Sequence, residues 1–422
     1  MMRFNLVLVS LLCLGSMLGA EEGTWEWQDA RVPDLGFDLD EAAVVRVSSL
    51  ESRGAGTLRE ALAMEGPRIV VFDVAGVIDL EEKGISMMNG EVVVAGQTAP
   101  APGVTVIKGG ISIGGSRVLV QHLRVRPGDA GKPKMSGWEP DGIATRSDAE
   151  DVWIDHCSVT WSVDENLSVT SYDAPQGRWA RRIFLRDCLI AEGLNHATHR
   201  EDDHSKGSLI LDGTKEVAVV RNFYASNVER NPLFKPETSG VIVNNVIANP
   251  GDRSIHASRD KTGTGAAPAR IAVVGNVVLF GRETKKSSAI FEGYAEGYFA
   301  GNEGFDYRGG EIPELREAFE TLAEPPVWPE GLEAMVASQA LVVVSRTVGA
   351  RPRDRDAIDG RIIREALAGE ARIIDSQEEV GGYPEIEPVY REEPLVVPAE
   401  DRRRWLGRLA EEVEEMPGAN PR

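Results

Sequence analysis

The sequence has few cysteines, few aromatic side chains, and fewer basic than acidic residues. Three cysteines in 422 residues are too few for a disulfide scaffold, so core packing has to hold the fold together. The excess of Asp and Glu gives a formal net charge of -21, which argues against nucleic acid and anionic membrane surfaces as partners. A polyanionic ligand would need a locally cationic groove or a bound divalent cation.

Long hydrophobic runs are absent after the first twenty residues. Within those twenty, Arg3 precedes a short apolar stretch from Leu6 to Met17, and Ala20 is a small residue suited to signal-peptidase cleavage. The stretch is short for a bilayer span, although a membrane anchor is the alternative interpretation. We therefore predict a signal peptide over residues 1–20 and a secreted protein, extracellular or periplasmic, without a membrane partner.

Helical periodicity is rare between Arg68 and Phe305. Short β-rich runs recur there about every 24 to 34 residues, with Gly, Asn and Asp between them, which is typical of a solenoid. The repeats read VLVQHLRV, VWIDHCSV, IFLRDCLI, VAVVRNFY, VIVNNVIA and IAVVGNVV, beginning at Val118, Val152, Ile183, Val217, Val241 and Ile271. A β-sandwich is the competing fold, but it predicts hairpin turns, which these repeats lack.

Each repeat contains a polar pair between two apolar runs, which predicts a tight corner between two parallel strands of one coil. Asn222, Asn245 and Asn276 share one offset, so their side chains should stack and hydrogen-bond from coil to coil. Cys157 and Cys188 also share an offset and should be neighbours in the stack. A disulfide and two buried thiols both remain open for them.

The two ends of the repeat region differ from its middle. Gly56–Ala63 predicts a short helix with capping-box spacing, placed where a solenoid needs an end cap. After Asp306 the segments 357–371 and 402–415 look helical, with proline-rich stretches around them. We predict a β-helix domain over residues 21–310 and an irregular, partly helical C-terminal extension with a polar tail over residues 311–422, packed along the solenoid. A small separate domain is the alternative.

Several motifs resemble the pectate lyase family. Asp151–Ser158 is similar to its VWIDH motif, and Arg230–Lys235 (RNPLFK) is similar to its Arg-x-Pro-x-x-Arg motif. Trp161–Ser168 and Asp375–Pro384 resemble a bacterial secreted branch of the family. The resemblance implies an all-β, right-handed single-stranded parallel β-helix. It also implies a monomer that cleaves an acidic polysaccharide, pectate (polygalacturonate) or a related uronan, by calcium-assisted β-elimination.

The resemblance also implies a Ca²⁺ site. Asp141, Asp164 and Glu139 match acidic positions of the family, whereas Ser168 stands where a fourth acidic ligand is usual. Glu165 is the candidate to supply the missing oxygen. Ca²⁺ suits such a site because it accepts several oxygen ligands and leaves room for substrate. The alternative is that these acids are ordinary surface carboxylates.

Three basic residues match family positions that act on the substrate. Arg230 matches the catalytic base, Lys206 a lysine that contacts the substrate carboxylate, and Lys235 a second arginine. Lysine keeps the charge of arginine but not its bidentate fork. A buried structural ion pair is the alternative for Arg230, and solvated surface lysines are the alternative for the other two.

Other polar residues are open to functional interpretation. Asp155 and His156 lie at a predicted coil corner, so we interpret them as structural. His196, His199 and His204 form a histidine-rich loop, but their spacing fits no standard zinc pattern.

Two other functions compete with the lyase. A polygalacturonase-like hydrolase would use clustered Asp residues such as Asp141 and Asp164, with one of them as the acid. A non-catalytic β-helical carbohydrate-binding protein would keep the groove without the chemistry. The Arg230 motif and Lys206 favour the lyase.

Overall fold

The computed structural model describes residues 24–414, except 262, 311, 318 and 319. The predicted signal peptide over residues 1–20 lies outside the described residues. The chain winds through three parallel sheets in turn, and each coil adds one strand to each sheet. Such parallel crossover connections are right-handed in almost all proteins. The predicted right-handed single-stranded parallel β-helix is confirmed.

The strands are short, and the three sheets stack them in coil order. Sheet 1 contains Ala43–Val47, Arg68–Phe72, Val92–Ala95, Val118–Gln121, Glu150–Asp155, Arg181–Arg186, Lys215–Val220, Ser239–Val243, Ala269–Val274, Ala295–Ala300 and Glu320–Thr321. Sheet 2 contains Val74–Asp79, Val104–Ile107, Arg124–Arg126, Ser158–Thr160, Leu189–Ala191, Phe223–Ala225, Val246–Ala248, Val277–Phe280 and Glu303–Asp306, with Val389–Tyr390 antiparallel at its edge.

Sheet 3 is divided into two ladders. The first contains Ile85–Met87, Ile111–Ile113, Ile143–Thr145 and Leu167–Ser168. The second contains Leu209–Ile210, Leu233–Phe234, Ile255–Ala257, Phe291–Gly293 and Leu315–Arg316. A bridge between Val169 and Ile210 joins the two. Inward-facing Val, Ile, Leu and Phe side chains of all three sheets form one continuous core inside the coils.

The corners between sheets 1 and 2 have the predicted tight geometry. Their first residue takes a left-handed backbone, as at Asn244 with φ 55°, and Asn tolerates this conformation better than most side chains. The second residue points inward. Asn222 Nδ2 donates to Asn245 Oδ1 at 3.0 Å, and Asn245 Nδ2 donates to Asn276 Oδ1 at 3.0 Å. The predicted asparagine ladder is thus present, and it continues to Asn302.

The two cysteines occupy the same inward position one and two coils earlier in the stack. Cys157 N donates to Cys188 Sγ at 3.4 Å, and Cys188 N donates to Asn222 Oδ1 at 3.0 Å. Both thiols are free and buried. Of the two interpretations left open by the sequence, the structure has the buried thiols.

The N-terminal end of the solenoid is covered by helix α1, Leu58–Ala63, whose first turn is capped by Thr57 Oγ1 accepting from Glu60 N at 3.3 Å. Glu60 Oε2 in turn accepts from Gly56 N at 2.7 Å. Leu58 and Leu62 are buried against the core. The pattern differs from a capping box in that Glu60 bonds the residue before the N-cap rather than the N-cap itself.

The chain after residue 330 packs along the outside of the coils. Helices α2, Ala337–Thr347, and α3, Ala357–Ala368, bury apolar side chains against sheet 2. Helix α4, Arg402–Glu414, places Leu406 in an apolar cluster on the outside of sheet 1. Helix α3 ends three residues earlier than the sequence predicts, because Gly369 takes a left-handed backbone (φ 70°) and caps it. The 3-10 helices are Gly96–Thr98, Pro352–Asp354 and Gln377–Val380.

Candidate active site

The candidate site lies where the chain enters successive strands of sheet 3. Glu165 bridges Lys206 in parallel fashion, and Lys206 in turn bridges Glu229. Asp141 precedes the strand one coil earlier, and Arg230 follows Glu229 directly. Neighbouring parallel strands are about 4.8 Å apart, so residues distant in sequence meet in one column.

Three carboxylates form one cluster in this column. Asp141, Asp164 and Glu165 each offer an oxygen, and these oxygens all lie within 4.8 Å of one another. The Glu165 backbone N donates to Asp141 Oδ1 at 3.2 Å. The arrangement presents several carboxylate oxygens to one point, which is the donor set that Ca²⁺ prefers.

Electrostatics make this cluster unfavourable without a cation. Burial and the negative charge of Asp164 raise the pKa of Asp141 to about 8. Burial also acts to raise the pKa of Asp164, but its hydrogen bond from His204 and the positive charges around it lower that pKa overall. Two close carboxylates cannot both ionise without cost. A divalent cation would remove that cost, so the residues present fit such an ion.

The predicted ligand Glu139, and Ser168 at the family position that is usually acidic, are not part of this cluster. Glu139 Oε1 accepts from Arg200 Nε at 2.7 Å and from Arg200 N at 2.8 Å, so its carboxylate is already paired. Ser168 is fully buried, and its Oγ accepts from Leu209 N at 3.0 Å. Glu165 is the third acid that the structure brings beside Asp141 and Asp164.

Arg230 lies against the acidic cluster. Its Nη1 forms an ion pair with Glu165 Oε1, and 20% of its side chain is exposed. Its Nε is buried and has no hydrogen-bond partner among the described residues. Burial lowers the pKa of Arg230, although Asp164 and Asp141 act in the opposite direction. The backbone of Arg230 is left-handed (φ 63°), as it is at corner residues such as Asn244.

The two lysines have different environments. Lys206 is nearly buried, and its Nζ donates to Glu229 Oε1 at 2.9 Å. Burial opposes ionisation of Glu229, but His256 and Lys206 lower its pKa to about 2. Lys235 is more exposed, and its Nζ lies 3.8 Å from Asp212 Oδ2. Each predicted basic residue of the site therefore has an acidic partner on the protein.

A second asparagine network connects the loops that carry Glu165 and Arg230. Asn166 Nδ2 donates to Asn227 Oδ1 at 3.0 Å, and Asn227 Nδ2 donates to Asn231 Oδ1 at 3.1 Å. All three side chains are buried. Asn166 follows Glu165 directly and Asn231 follows Arg230 directly, so the network fixes the backbone next to both. The sequence does not indicate this network, because its residues share no constant offset from a strand.

The histidine-rich loop lies beside the acidic cluster. His199 and His204 are stacked, with ring centroids 3.5 Å apart and planes 4° apart. His204 Nε2 is 2.7 Å from Asp164 Oδ1. His196 does not join this pair, because its Nδ1 is 2.7 Å from Asp203 Oδ1. His204 thus holds the Asp164 carboxylate, a role that the sequence spacing did not indicate.

Asp155 and His156 lie on another face, at the corner between sheets 1 and 2. Asp155 accepts hydrogen bonds from Gln121 at 2.8 Å and Arg186 at 2.9 Å, and His156 Nδ1 is 2.7 Å from Asp155 Oδ1. These contacts give the pair partners within the coil stack and no place in the acidic cluster.

No protein-family model matches the chain, but curated proteins do. The "Probable pectate lyase C" of Emericella nidulans is 30% identical over 366 residues, which cover 81% of this chain and 76% of that protein. The protein of the same name from Aspergillus oryzae is 28% identical over 355 residues, 81% of this chain and 77% of that protein. Both organisms are fungi, so the bacterial branch predicted from the sequence is not supported.

Among solved structures, the crystal structure of jun a 1, the major allergen from cedar pollen, aligns with a TM-score of 0.52. The alignment is 15% identical and covers 73% of this chain and 89% of that chain. At that identity the likeness concerns the fold alone. Within the described part of the chain, no helix is long and apolar enough to cross a membrane.

Proposed function

This chain belongs to the pectate lyase family, and from that premise we propose that it is a secreted enzyme that cleaves pectate or a related uronan by calcium-assisted β-elimination. The observation that carries the proposal is the position of a partly buried arginine, Arg230, against three clustered carboxylates. A base and a divalent-cation site side by side are what this elimination needs.

The chemical difficulty is the weak acidity of the uronate C5 proton, which lies next to a carboxylate that is already negative. When bound, Ca²⁺ would stabilise the negative charge that develops on that carboxylate. Asp141, Asp164 and Glu165 would hold the ion. Glu139 is left out of this set because its carboxylate is not among the clustered oxygens.

Arg230 would act as the base. It takes the C5 proton, the C5–H electron pair forms the C4=C5 double bond, and the C4–O bond to the glycosidic oxygen breaks. The departing oxygen takes a proton from water. The lowered pKa of Arg230 supports this role, because a guanidinium with its usual pKa hardly ever gives up its proton. Lys206 and Lys235 would contact the substrate carboxylates.

One observation favours a second candidate function. Asp141, with a pKa raised to about 8, would be protonated at neutral pH beside an ionised Asp164. Paired carboxyl groups of different pKa are typical of glycoside hydrolases. A polygalacturonase-like hydrolysis at the same cluster is therefore the alternative, and it differs from elimination in its products.

Incubation of the purified protein with polygalacturonate, with and without Ca²⁺, distinguishes the two. The lyase gives an increase in ultraviolet absorbance from the unsaturated product, and the increase depends on Ca²⁺. New reducing ends without that absorbance would indicate hydrolysis. Binding of the polymer without either signal would indicate a non-catalytic carbohydrate-binding protein and would contradict the proposal.

A further inference from the structure

The carboxylate of Glu165 has two competing uses. It forms the ion pair with Arg230 Nη1, and one of its oxygens belongs to the cluster with Asp141 and Asp164. We propose that Glu165 exchanges between Arg230 and the bound cation, so that cation binding releases the Arg230 guanidinium for substrate. This inference rests on the proposed function and adds a positioning role for Glu165.

Burial of the Glu165 carboxylate makes the competition between its two partners strong. Only 6% of the Glu165 side chain is exposed, so water cannot replace a lost partner, and an unpaired buried carboxylate is costly. Without a cation, Arg230 is the positively charged partner that the structure gives it. With a cation in the cluster, the same carboxylate has a second and more highly charged partner.

The backbone of Glu165 restricts the movement to the side chain. Its N–H donates to Asp141 Oδ1, its residue bridges Lys206, and the next residue, Asn166, is held by the buried asparagine network. A rotation of the Glu165 side chain therefore suffices to pass the carboxylate from guanidinium to cation.

The contacts of Arg230 explain how loss of the Glu165 ion pair would free its guanidinium for substrate. Its Nε has no hydrogen-bond partner among the described residues, and Glu165 is its ion-pair partner, while Asp164 and Asp141 also attract it. Once that contact is given up, the guanidinium, whose side chain is 20% exposed, is no longer compensated by Glu165. A uronate carboxylate or the C5 position of the sugar can then approach it.

The exchange can be tested by Ca²⁺ affinity, without an activity assay. If Arg230 and the cation compete for Glu165, each weakens the binding of the other to Glu165 by the same factor. Isothermal titration of Ca²⁺ into the full-length protein gives the dissociation constant. We expect Arg230→Met to tighten Ca²⁺ binding about tenfold in the native background and less than twofold in a Glu165→Gln background. Coupling energies of this size are ordinary.

Comparing Arg230→Met in the native and Glu165→Gln backgrounds distinguishes the exchange from the simple loss of a positive charge. Loss of one positive charge near the cluster would tighten Ca²⁺ binding equally in both backgrounds, and that result would overturn the proposal. Lys235→Met is the matched control, since it removes a positive charge of the same groove that is not paired with Glu165. We expect it to change the Ca²⁺ dissociation constant less than twofold.

A second measurement uses the unaltered protein and covers the case in which the variants do not fold. Phenylglyoxal modifies accessible guanidinium groups, and peptide mass spectrometry measures the rate at Arg230. We expect saturating Ca²⁺ to increase that rate several-fold while the rate at exposed Arg117 stays constant. An unchanged rate at Arg230 under demonstrated Ca²⁺ binding would overturn the exchange and leave the lyase proposal intact. Absence of Ca²⁺ binding would overturn the exchange, while the product assay would still decide the lyase proposal.

Discussion

At the scale of single residues, Arg230 combines a partial burial, a lowered pKa and a carboxylate partner. We predict that Arg230→Lys lowers kcat by about 10²- to 10⁴-fold, the usual contribution of a positioned base. Lysine keeps a positive charge for Glu165, so the melting temperature should change little. The measurement is steady-state kinetics on polygalacturonate together with thermal unfolding.

Arg117→Lys is the control for this substitution, because Arg117 is an exposed arginine paired with Glu91 on sheet 1. It should leave kcat unchanged. A retained kcat in Arg230→Lys would remove Arg230 from the chemistry. A large loss of stability would instead indicate that the arginine is mainly structural.

The sequence motifs predicted most residues of the site column, but not the side chains that contact them. Asp141, Asp164, Lys206 and Arg230 were found because they lie in or near recognisable local patterns. Glu229 was not found, and His204 was singled out without its contact to Asp164, because local sequence does not specify a contact between side chains of different coils. Glu139 was predicted as a metal ligand because it matches an acidic position of the family; in the structure one of its oxygens accepts a hydrogen bond from Arg200, and it is not in the three-carboxylate cluster.

At the scale of secondary-structure elements, the asparagine ladder at the corners and the asparagine network beside the site can be compared by equivalent substitutions. Asn227 lies in the network beside Glu165 and Arg230, whereas Asn245 lies in the corner ladder between sheets 1 and 2. Both are fully buried. We predict that Asn227→Leu and Asn245→Leu each cost about 1–3 kcal/mol of stability, because each leaves buried polar groups unpaired.

Only Asn227→Leu should also lower kcat per folded molecule, by about tenfold or more, because it frees the loops that carry the base and the cation ligands. Chemical denaturation measures the stability, and active-site-normalised kinetics measures kcat. Equal kcat in the two variants would mean that the site network has no positioning role.

The element boundaries show what a repeat pattern can and cannot predict. Strand runs and corners recur, so each coil adds evidence for the same interpretation, and the corner ladder was predicted residue by residue. The loops before sheet 3 vary in length from coil to coil, so no repeat constrained the network of Asn166, Asn227 and Asn231. Helix α2 carries no repeat signal and was not predicted.

At the scale of the whole molecule, helix α4 connects residues before the first strand of sheet 1 with a corner of the coils. Glu414 at the end of helix α4 lies 2.8 Å from Arg31 and 3.9 Å from His156 Nδ1. Burial lowers the pKa of His156, but the negative charges of Glu414 and Asp155 outweigh it and raise the pKa to about 9. The charged imidazole thus stabilises the docked helix.

The sign of the pH effect follows from linkage. A histidine with a raised pKa contributes stability that is fully present below about pH 6.5, its ordinary pKa, and is lost as the pH rises through about 9. The groups that face it are Asp155, Asp187, Glu414, His122 and Arg186. We predict that His156→Gln makes the unfolding free energy about 2–3 kcal/mol less dependent on pH between 6.5 and 9.

Urea denaturation at several pH values measures this difference, with His196→Gln as the control because His196 lies in an exposed loop. Parallel pH profiles for His156→Gln and the native protein would show that the α4 contact does not depend on the imidazole charge.

The net charge of -21 also belongs to the whole molecule. The structure gives Arg230, Lys206 and Lys235 acidic partners, and Asp141 and Asp164 lie beside them, so the site has no excess of positive charge for a polyanion without a cation. A cation held by the acidic cluster would add positive charge at the point where a polyanion has to bind. The composition indicated such a requirement but not its location.

The most direct test is the mass of the oligosaccharides that the protein releases from polygalacturonate in the presence of Ca²⁺. Elimination consumes no water, so we predict that the new non-reducing-end fragments are lighter by one water than the saturated oligogalacturonides, and that Ca²⁺ chelation prevents their formation. Fragments whose new non-reducing ends all have the full, saturated mass would show hydrolysis and contradict the assignment of Arg230 as the base of a lyase.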